Sequence, residues 1–162
     1  MDAIPTERDL HYLRRAIALA SEAKAAGKHP FGALIVDDAD EILAAAGNAF
    51  GWPGGDATGH AELIAVREAS RRFPPQRLAQ ATLYSSAEPC AMCAGAVYWS
   101  GIERVVYALS ESRLLSLTGS HPENPTLALP CREVFARGQR RILVIGPLLE
   151  DEAALPHLGF WR

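Results

Sequence analysis

His60-Ala61-Glu62 and, about 30 residues later, Pro89-Cys90-Ala91-Met92-Cys93 hold the residue types from which a metal site with a proton relay is built. One imidazole and two thiols are three ligands for a zinc ion. Three protein ligands leave a fourth coordination position open, the arrangement of a catalytic rather than a structural zinc. Glu62 is not needed as a ligand and stands beside the others as an acid/base group. Cys90 and Cys93 form an i, i+3 pair. With Pro89 leading into a helix, both sulfurs fall on one face, and the partial positive charge of the helix start favours thiolate over thiol. His60 opens a second helix over 60–72. Positions i and i+2 do not share a helical face, so His60 and Glu62 converge only on an ion lying off the helix end.

The H-x-E then P-C-x-x-C pattern resembles the signature of zinc-dependent base deaminases, which implies hydrolytic removal of an amine from a ring carbon. The zinc acidifies a water. Glu62 takes its proton, passes it to the adjacent ring nitrogen, and helps the amine leave as ammonia. Two other uses of the same residues stay open. A C-x-x-C pair is common in structural zinc and redox sites. A structural zinc needs a fourth Cys or His, and His11, His29, His121, Cys131 and His157 are the candidates, none spaced as a partner near the motif. A redox pair leaves His60 and Glu62 unexplained.

Positioning these groups requires a scaffold. Leu10, Leu13, Ile17 and Ala20 recur at three- and four-residue steps before Gly27 and predict a helix over 6–26. Strands are predicted at 33–36 and 41–46 around a turn at 37–40. A Gly-rich loop at 47–59, containing Trp52 and Pro53, leads to the His60 helix, which Phe73-Pro74-Pro75 ends. A strand at 81–85 delivers the chain to Glu88-Pro89-Cys90 and the cysteine helix, which reaches about Ser100. A strand follows at 104–109. Short helices at 111–117 and 131–137 flank a loop at 118–130, where Pro122, Pro125 and Pro130 forbid regular structure. A strand at 141–145 and a final helix over 151–161, broken at Pro156, complete the order. A hairpin followed by alternation predicts an α/β fold, a three-layer α-β-α sandwich on a mixed five-stranded sheet. Both metal helices start at one end of that sheet, in a single domain over 1–162.

Hydrophobic residues make up 49 % and charged residues 22 %, the balance of a soluble globular protein. A net charge of −3 offers no general basic footprint for nucleic acid, and Arg71, Arg72 and Arg77, like Arg137, Arg140 and Arg141, read as solvated faces. No apolar run approaches the length of a membrane span. The charged start MDAIPTERDL shows no signal peptide, and with two of three cysteines assigned there is no disulfide framework, so the cytoplasm is the expected location. Cys131 reads as a structural or surface thiol.

At His60-Ala61-Glu62 and Pro89-Cys90-Ala91-Met92-Cys93 the chain resembles the cytidine deaminase superfamily. It is most similar to the branch holding guanine deaminases, tRNA adenosine deaminases and fungal-type cytosine deaminases. The resemblance runs over about residues 10–106 and takes in Pro30-Phe31-Gly32-Ala33, Gly47-Asn48, Glu88 and Cys93-Ala94-Gly95-Ala96. It implies a cytidine-deaminase-like fold, Zn2+ held by His60, Cys90 and Cys93, and Glu62 as the catalytic acid/base. It also implies a homodimer; the acidic pI, the lack of a basic C-terminal helix and Tyr98-Trp99 favour a small-molecule base as substrate over a nucleic-acid partner, and no membrane partner is expected. By position, Asn48 hydrogen-bonds a polar edge of the base, or is simply a turn residue after Gly47. Phe31 lines the pocket floor or belongs to the core. Backbone N–H groups at Ala61 and near Cys90 orient the substrate, and Glu88 braces the metal loop. Tyr98-Trp99 matches the guanine deaminases, with Trp99 approaching a neighbour's site or packing in the interface. Phe160-Trp161 is an aromatic flap or a tucked-in terminus.

The chain departs from the branch at three places. Asp56-Ala57-Thr58-Gly59 stands where Asp-Pro-Thr-Ala is usual, which implies a looser loop. Ser86-Ala87 precedes Glu88 without the usual Cys or Leu. Leu117-Thr118-Gly119-Ser120-His121-Pro122 replaces the acidic Gly-Phe-Asp-Asp stretch, with Glu123 the nearest substitute acid. Conversion of guanine to xanthine plus ammonia is the first expectation. A tRNA adenosine deaminase, a cytosine or nucleoside deaminase, and a non-catalytic zinc-binding module are the alternatives.

Overall fold

A computed structural model describes residues 3–50 and 55–161 of the chain; Trp52 and Pro53, expected within the 47–59 loop, lie outside them. Helix α1 (Glu7–Ala25) is started by a capping box: Thr6 Oγ1 accepts the Asp9 N–H at 3.2 Å, and the Asp9 carboxylate accepts the Thr6 N–H at 2.9 Å. Tyr12, Leu13, Ala16 and Ala20 form its buried stripe.

The elements that follow are β1 (Gly32–Val36), β2 (Ile42–Gly47), α2 (Ala61–Arg72), α3 (Pro75–Leu78), β3 (Thr82–Ala87), α4 (Ala91–Ser100), β4 (Arg104–Leu109), α5 (Glu111–Thr118), α6 (Cys131–Ala136), β5 (Leu143–Ile145) and α7 (Glu150–Ala154). The five strands form one sheet in the order β2-β1-β3-β4-β5. β1 runs antiparallel to β2 and β3, while β3, β4 and β5 are parallel. This is the mixed sheet that the hairpin-then-alternation pattern predicts. The single-turn helix α3 was not expected. The prolines that end α2 also begin it, because Pro75 at the first helical position forgoes an N–H that would be unpaired anyway. The last helix is shorter than 151–161: after Ala154 the chain tightens into a 3-10 turn, Leu155–His157, around Pro156.

Alternation along the strands builds two cores. Ala33, Ile35, Leu83, Val105 and Tyr107 meet α2, α4 and α6 through Ala65, Ala69, Ala94, Val97 and Phe135. Leu34, Val36, Tyr84, Val106 and Ile145 meet α1, α5 and α7 through Leu13, Ala16, Leu114 and Ala153. Three layers result. The α1 backbone lies directly on the start of β1: a Cβ on Gly32 would stand 2.5 Å from the Ala16 carbonyl oxygen, so only glycine fits there. Tyr84 and Arg104 pin the same helix to β3 and β4, donating to the Asp9 carboxylate at 2.9 Å and, bidentately, at 2.7 Å each.

The register fixes where chemistry can happen. Gly32 pairs with Gly47, Ala33 with Ser85, and Ala87 with Leu109. The start of β1 and the ends of β2, β3 and β4 therefore share one edge of the sheet. Phe31, Asn48, Glu88 and Ser110 are the residues just beyond it. Among the described residues no helix is long and apolar enough to cross a membrane.

Candidate active site

His60 and Cys90 are not the first residues of their helices but their N-caps, in extended conformation at φ −75°, ψ 144° and φ −67°, ψ 172°. That half-turn offset is how i and i+2 come together. The extended backbone at His60 turns its ring back over the helix start, toward the side on which Glu62 of the first turn lies. Cys93, three residues into the cysteine motif, returns toward Cys90 in the same way. His60 Nδ1 stands 3.5 Å from Cys90 Sγ and 3.5 Å from Cys93 Sγ. The three ligand atoms all lie within 4.8 Å of one another. Tetrahedral zinc with ordinary Zn–N and Zn–S lengths sets N···S at about 3.6 Å, so the donors fit that ion. Among the described residues no other His, Cys, Asp or Glu joins this cluster or forms a second one. His11, His29, His121, His157 and Cys131 are elsewhere, so the fourth protein ligand of a structural zinc is missing.

The electrostatics suit a metal and a proton carrier. A hydrogen bond from Cys93, with His60 adding to it, holds the Cys90 thiol down to about 4 against the effect of burial. The same bond, burial and the nearby Glu62 push Cys93 up, so the thiol pair shares one proton until a cation displaces it. His60 is raised by its bond to Cys90. Glu62 is 6 % exposed, and burial followed by the Cys90 charge lifts its carboxyl to about 7.

A cavity of about 360 Å3 opens on this cluster. Phe31 and Asn48 line it. Asn48 makes the local turn of the second expectation, its Oδ1 accepting the Phe50 N–H at 2.8 Å, and it lines the cavity. Ala61 is fully buried at the start of α2 and its side chain is not part of the wall. Trp99 lies elsewhere. It is 78 % exposed on α4 and borders a different concavity with Gly95 and Tyr98, so within one chain it does not reach this cavity. Trp161 does not line the cavity either; it packs on His29 and Phe31, which do. In the segment before His60, Asp56 Oδ1 accepts the Thr58 N–H at 2.8 Å, and the Gly59 carbonyl accepts the Ala49 N–H at 2.8 Å.

Glu88 braces more than the metal loop. Its two carboxylate oxygens accept the Glu111 N–H and the Cys131 N–H, each at 3.0 Å, and so cap α5 and α6 together. These helices bound the 118–130 loop, whose residues Glu123 to Leu127 form the cavity's far wall. Glu111 was not anticipated. It lines the cavity, and burial, then Glu88 and Cys90, raise its carboxyl to about 7. The signal for it was present: β3 and β4 are parallel and consecutive, so the residues following them emerge side by side at the sheet's C-terminal edge.

The chain matches the family of the cytidine and deoxycytidylate deaminase zinc-binding region over residues 6–109. It is 45 % identical to a probable cytosine deaminase of Schizosaccharomyces pombe over 156 residues, which are 96 % of this chain and 94 % of the relative. It is 42 % identical to a tRNA-specific adenosine deaminase of Haemophilus influenzae over 113 residues, 68 % of this chain and 65 % of the relative. The solved structure of guanine deaminase from Nitrosomonas europaea superimposes with a TM-score of 0.75 at 27 % identity, covering 99 % of this chain and 87 % of that one.

Proposed function

The chain belongs to the zinc-dependent cytidine and deoxycytidylate deaminase family, and from that premise we propose that it deaminates a free, uncharged base, with guanine converted to xanthine and ammonia as the leading reaction. One observation carries the choice of a free base over a nucleotide or an RNA. The cavity is lined by Glu62, Glu88, Glu111 and Glu123, and among the described residues no Lys or Arg lines it. A phosphate would meet carboxylates without a compensating cation, whereas a ring rich in N–H donors finds acceptors. Guanine presents such donors on several edges.

His60, Cys90 and Cys93 would hold the zinc, which supplies Lewis acidity that makes a water nucleophilic near neutral pH. Glu62 does the proton work. Held near 7 by burial, its carboxyl can accept one proton from the attacking water and pass it to the ring nitrogen, then carry the second, from the newly added hydroxyl, to the amine as the C–N bond breaks and ammonia leaves. The Asn48 amide orients a polar edge of the ring, and Glu123 on the far wall accepts from its N–H groups. Phe31 gives the ring an apolar face.

Cytosine is the second reading. It is favoured by the relation to the Schizosaccharomyces pombe protein, which extends over 96 % of this chain. Ammonia release from zinc-loaded protein tests both readings, with guanine, adenine, cytosine, their nucleosides, related triazines and an adenosine-bearing tRNA anticodon hairpin as substrates. Release from guanine supports the first reading, release from cytosine alone the second, and release from the hairpin alone refutes a free-base enzyme. The reading includes a homodimer, with the exposed Trp99 and the open space beside Gly95 on α4 as the surface a second copy covers.

A further inference from the structure

Trp161 gathers rings from three separate parts of the chain. Its centroid is 4.8 Å from Phe160, 5.0 Å from His29, 5.2 Å from His121 and 6.2 Å from both Phe31 and His157. Its indole N–H donates to His157 Nδ1 at 3.0 Å. His157 is 3 % exposed, and burial, with Lys24 nearby, holds its imidazole down to about 4, so at neutral pH that nitrogen keeps the lone pair the bond needs. The anchored indole lies outside the cavity but touches its wall through His29 and Phe31.

The same indole reaches the loop that carries Glu123. His121 Nδ1 accepts the Glu123 N–H at 3.1 Å, and His29 Nε2 stands 3.9 Å from Glu123 Oε1. Glu123 is thus set between two imidazoles, and both pack on Trp161. Its side chain is 40 % exposed, in a stretch without helix or strand from 119 to 130. Glu88 secures the start of α5, the helix that leads into that stretch, and the start of α6, where the stretch ends; the restraint on Glu123 runs through His121 and His29.

We propose that Trp161 is a positioning residue: through His29 and His121 it fixes where Glu123 meets the substrate. This rests on the reading above that Glu123 contacts the base. Immobilising one mobile side chain changes binding by roughly 2- to 12-fold, so that is the rise in KM expected for Trp161→Ala, with kcat kept. Trp161→Phe retains a ring against His29 and His121 and restores most of the loss.

Two measurements on the zinc-loaded protein test the proposal. The first is hydrogen exchange at the Glu123 amide without substrate. Trp161→Ala should accelerate it and Trp161→Phe should largely protect it; unchanged exchange in Trp161→Ala overturns the proposal. The second is a kinetic double-mutant cycle with the base that the ammonia panel identifies. If Trp161 acts through Glu123, Trp161→Ala adds nothing to KM once Glu123→Gln is present. If the two effects multiply, Glu123 recognition stands and the positioning role fails. If Glu123→Gln alone leaves KM unchanged, the recognition reading itself fails and takes the proposal with it. Should Trp161→Ala not fold, Trp161→Leu, which fills the space without a ring and whose zinc content is confirmed, takes its place in both measurements with the same expected outcomes.

Discussion

Replacing Glu88 with Gln should loosen the far wall of the cavity at a cost that the hydrogen bonds define. Each carboxylate oxygen accepts one N–H from the first turn of a helix, Glu111 of α5 and Cys131 of α6, at 3.0 Å. Glu88 is 8 % exposed, so water does not readily take its place. Gln has nearly the same shape but a single carbonyl oxygen. One cap becomes a neutral bond, and at the other a side-chain NH2 faces a backbone N–H. A hydrogen bond to a charged group contributes about 1.5–3 kcal/mol, a neutral one about 0.5–1.5, and an unpaired buried donor costs about 1–3. Two helix starts also lose a nearby negative charge. Together these give a destabilisation of about 2–4 kcal/mol. Urea unfolding of zinc-loaded Glu88→Gln at neutral pH measures it, and KM for the base should rise because one cap holds the 118–130 loop where it enters α6 and the other holds the start of α5, the helix that leads into it. A change below about 0.5 kcal/mol would refute the double cap as the anchor of that loop.

Further outcomes follow from other contacts. His157 has its pKa lowered to about 4 by burial, from 6.5; the unfolded chain therefore binds the proton first, and stability present above pH 6.5 is lost as pH falls toward 4, by about 3 kcal/mol. Urea midpoints from pH 7 to 4 should show that slope in the native sequence and a flatter one in His157→Gln. Asp9 is held down to about 2 although burial pushes it up, because Arg104, Thr6 and Tyr84 all donate to it. Its contribution of about 2 kcal/mol is complete above pH 3.8 and is lost as pH falls through 2, and Asp9→Asn should remove it at neutral pH. Trp99→Glu should convert a dimer to monomers in light scattering, since a carboxylate in place of an exposed indole opposes burial against a second copy; a native protein that is monomeric at every concentration tested removes the dimer from the account.

Much of this architecture could be read from the chain because its signals are local and chemically strict. Short apolar runs bounded by turn residues indicated all five strands. The spacing of His60, Glu62, Cys90 and Cys93 pointed to an ion off two helix ends, where the geometry now places the donor atoms. What escaped depended on pairings between distant segments. That Glu88 caps two helices requires knowing that residues 111 and 131 start helices at one edge of the sheet. Glu111 becomes a wall residue only because β4 lies parallel beside β3. The departure at Asp56-Ala57-Thr58-Gly59 implied a looser loop, and those residue types say nothing of the Ala49 N–H that the Gly59 carbonyl accepts. Phe160-Trp161 suggested a flap, but an aromatic pair near the end of a chain does not reveal that His29, His121 and His157 converge on it.

Zinc content and ammonia release of Glu62→Ala, measured on the same preparation, test the central claim most directly. Because His60, Cys90 and Cys93 form the donor set without Glu62, the variant should keep about one zinc per chain. Having lost the proton carrier, it should release ammonia at least about a hundredfold more slowly. Full turnover in Glu62→Ala, or loss of the metal along with activity, would contradict the assignment of Glu62 as the acid/base beside a three-ligand zinc site.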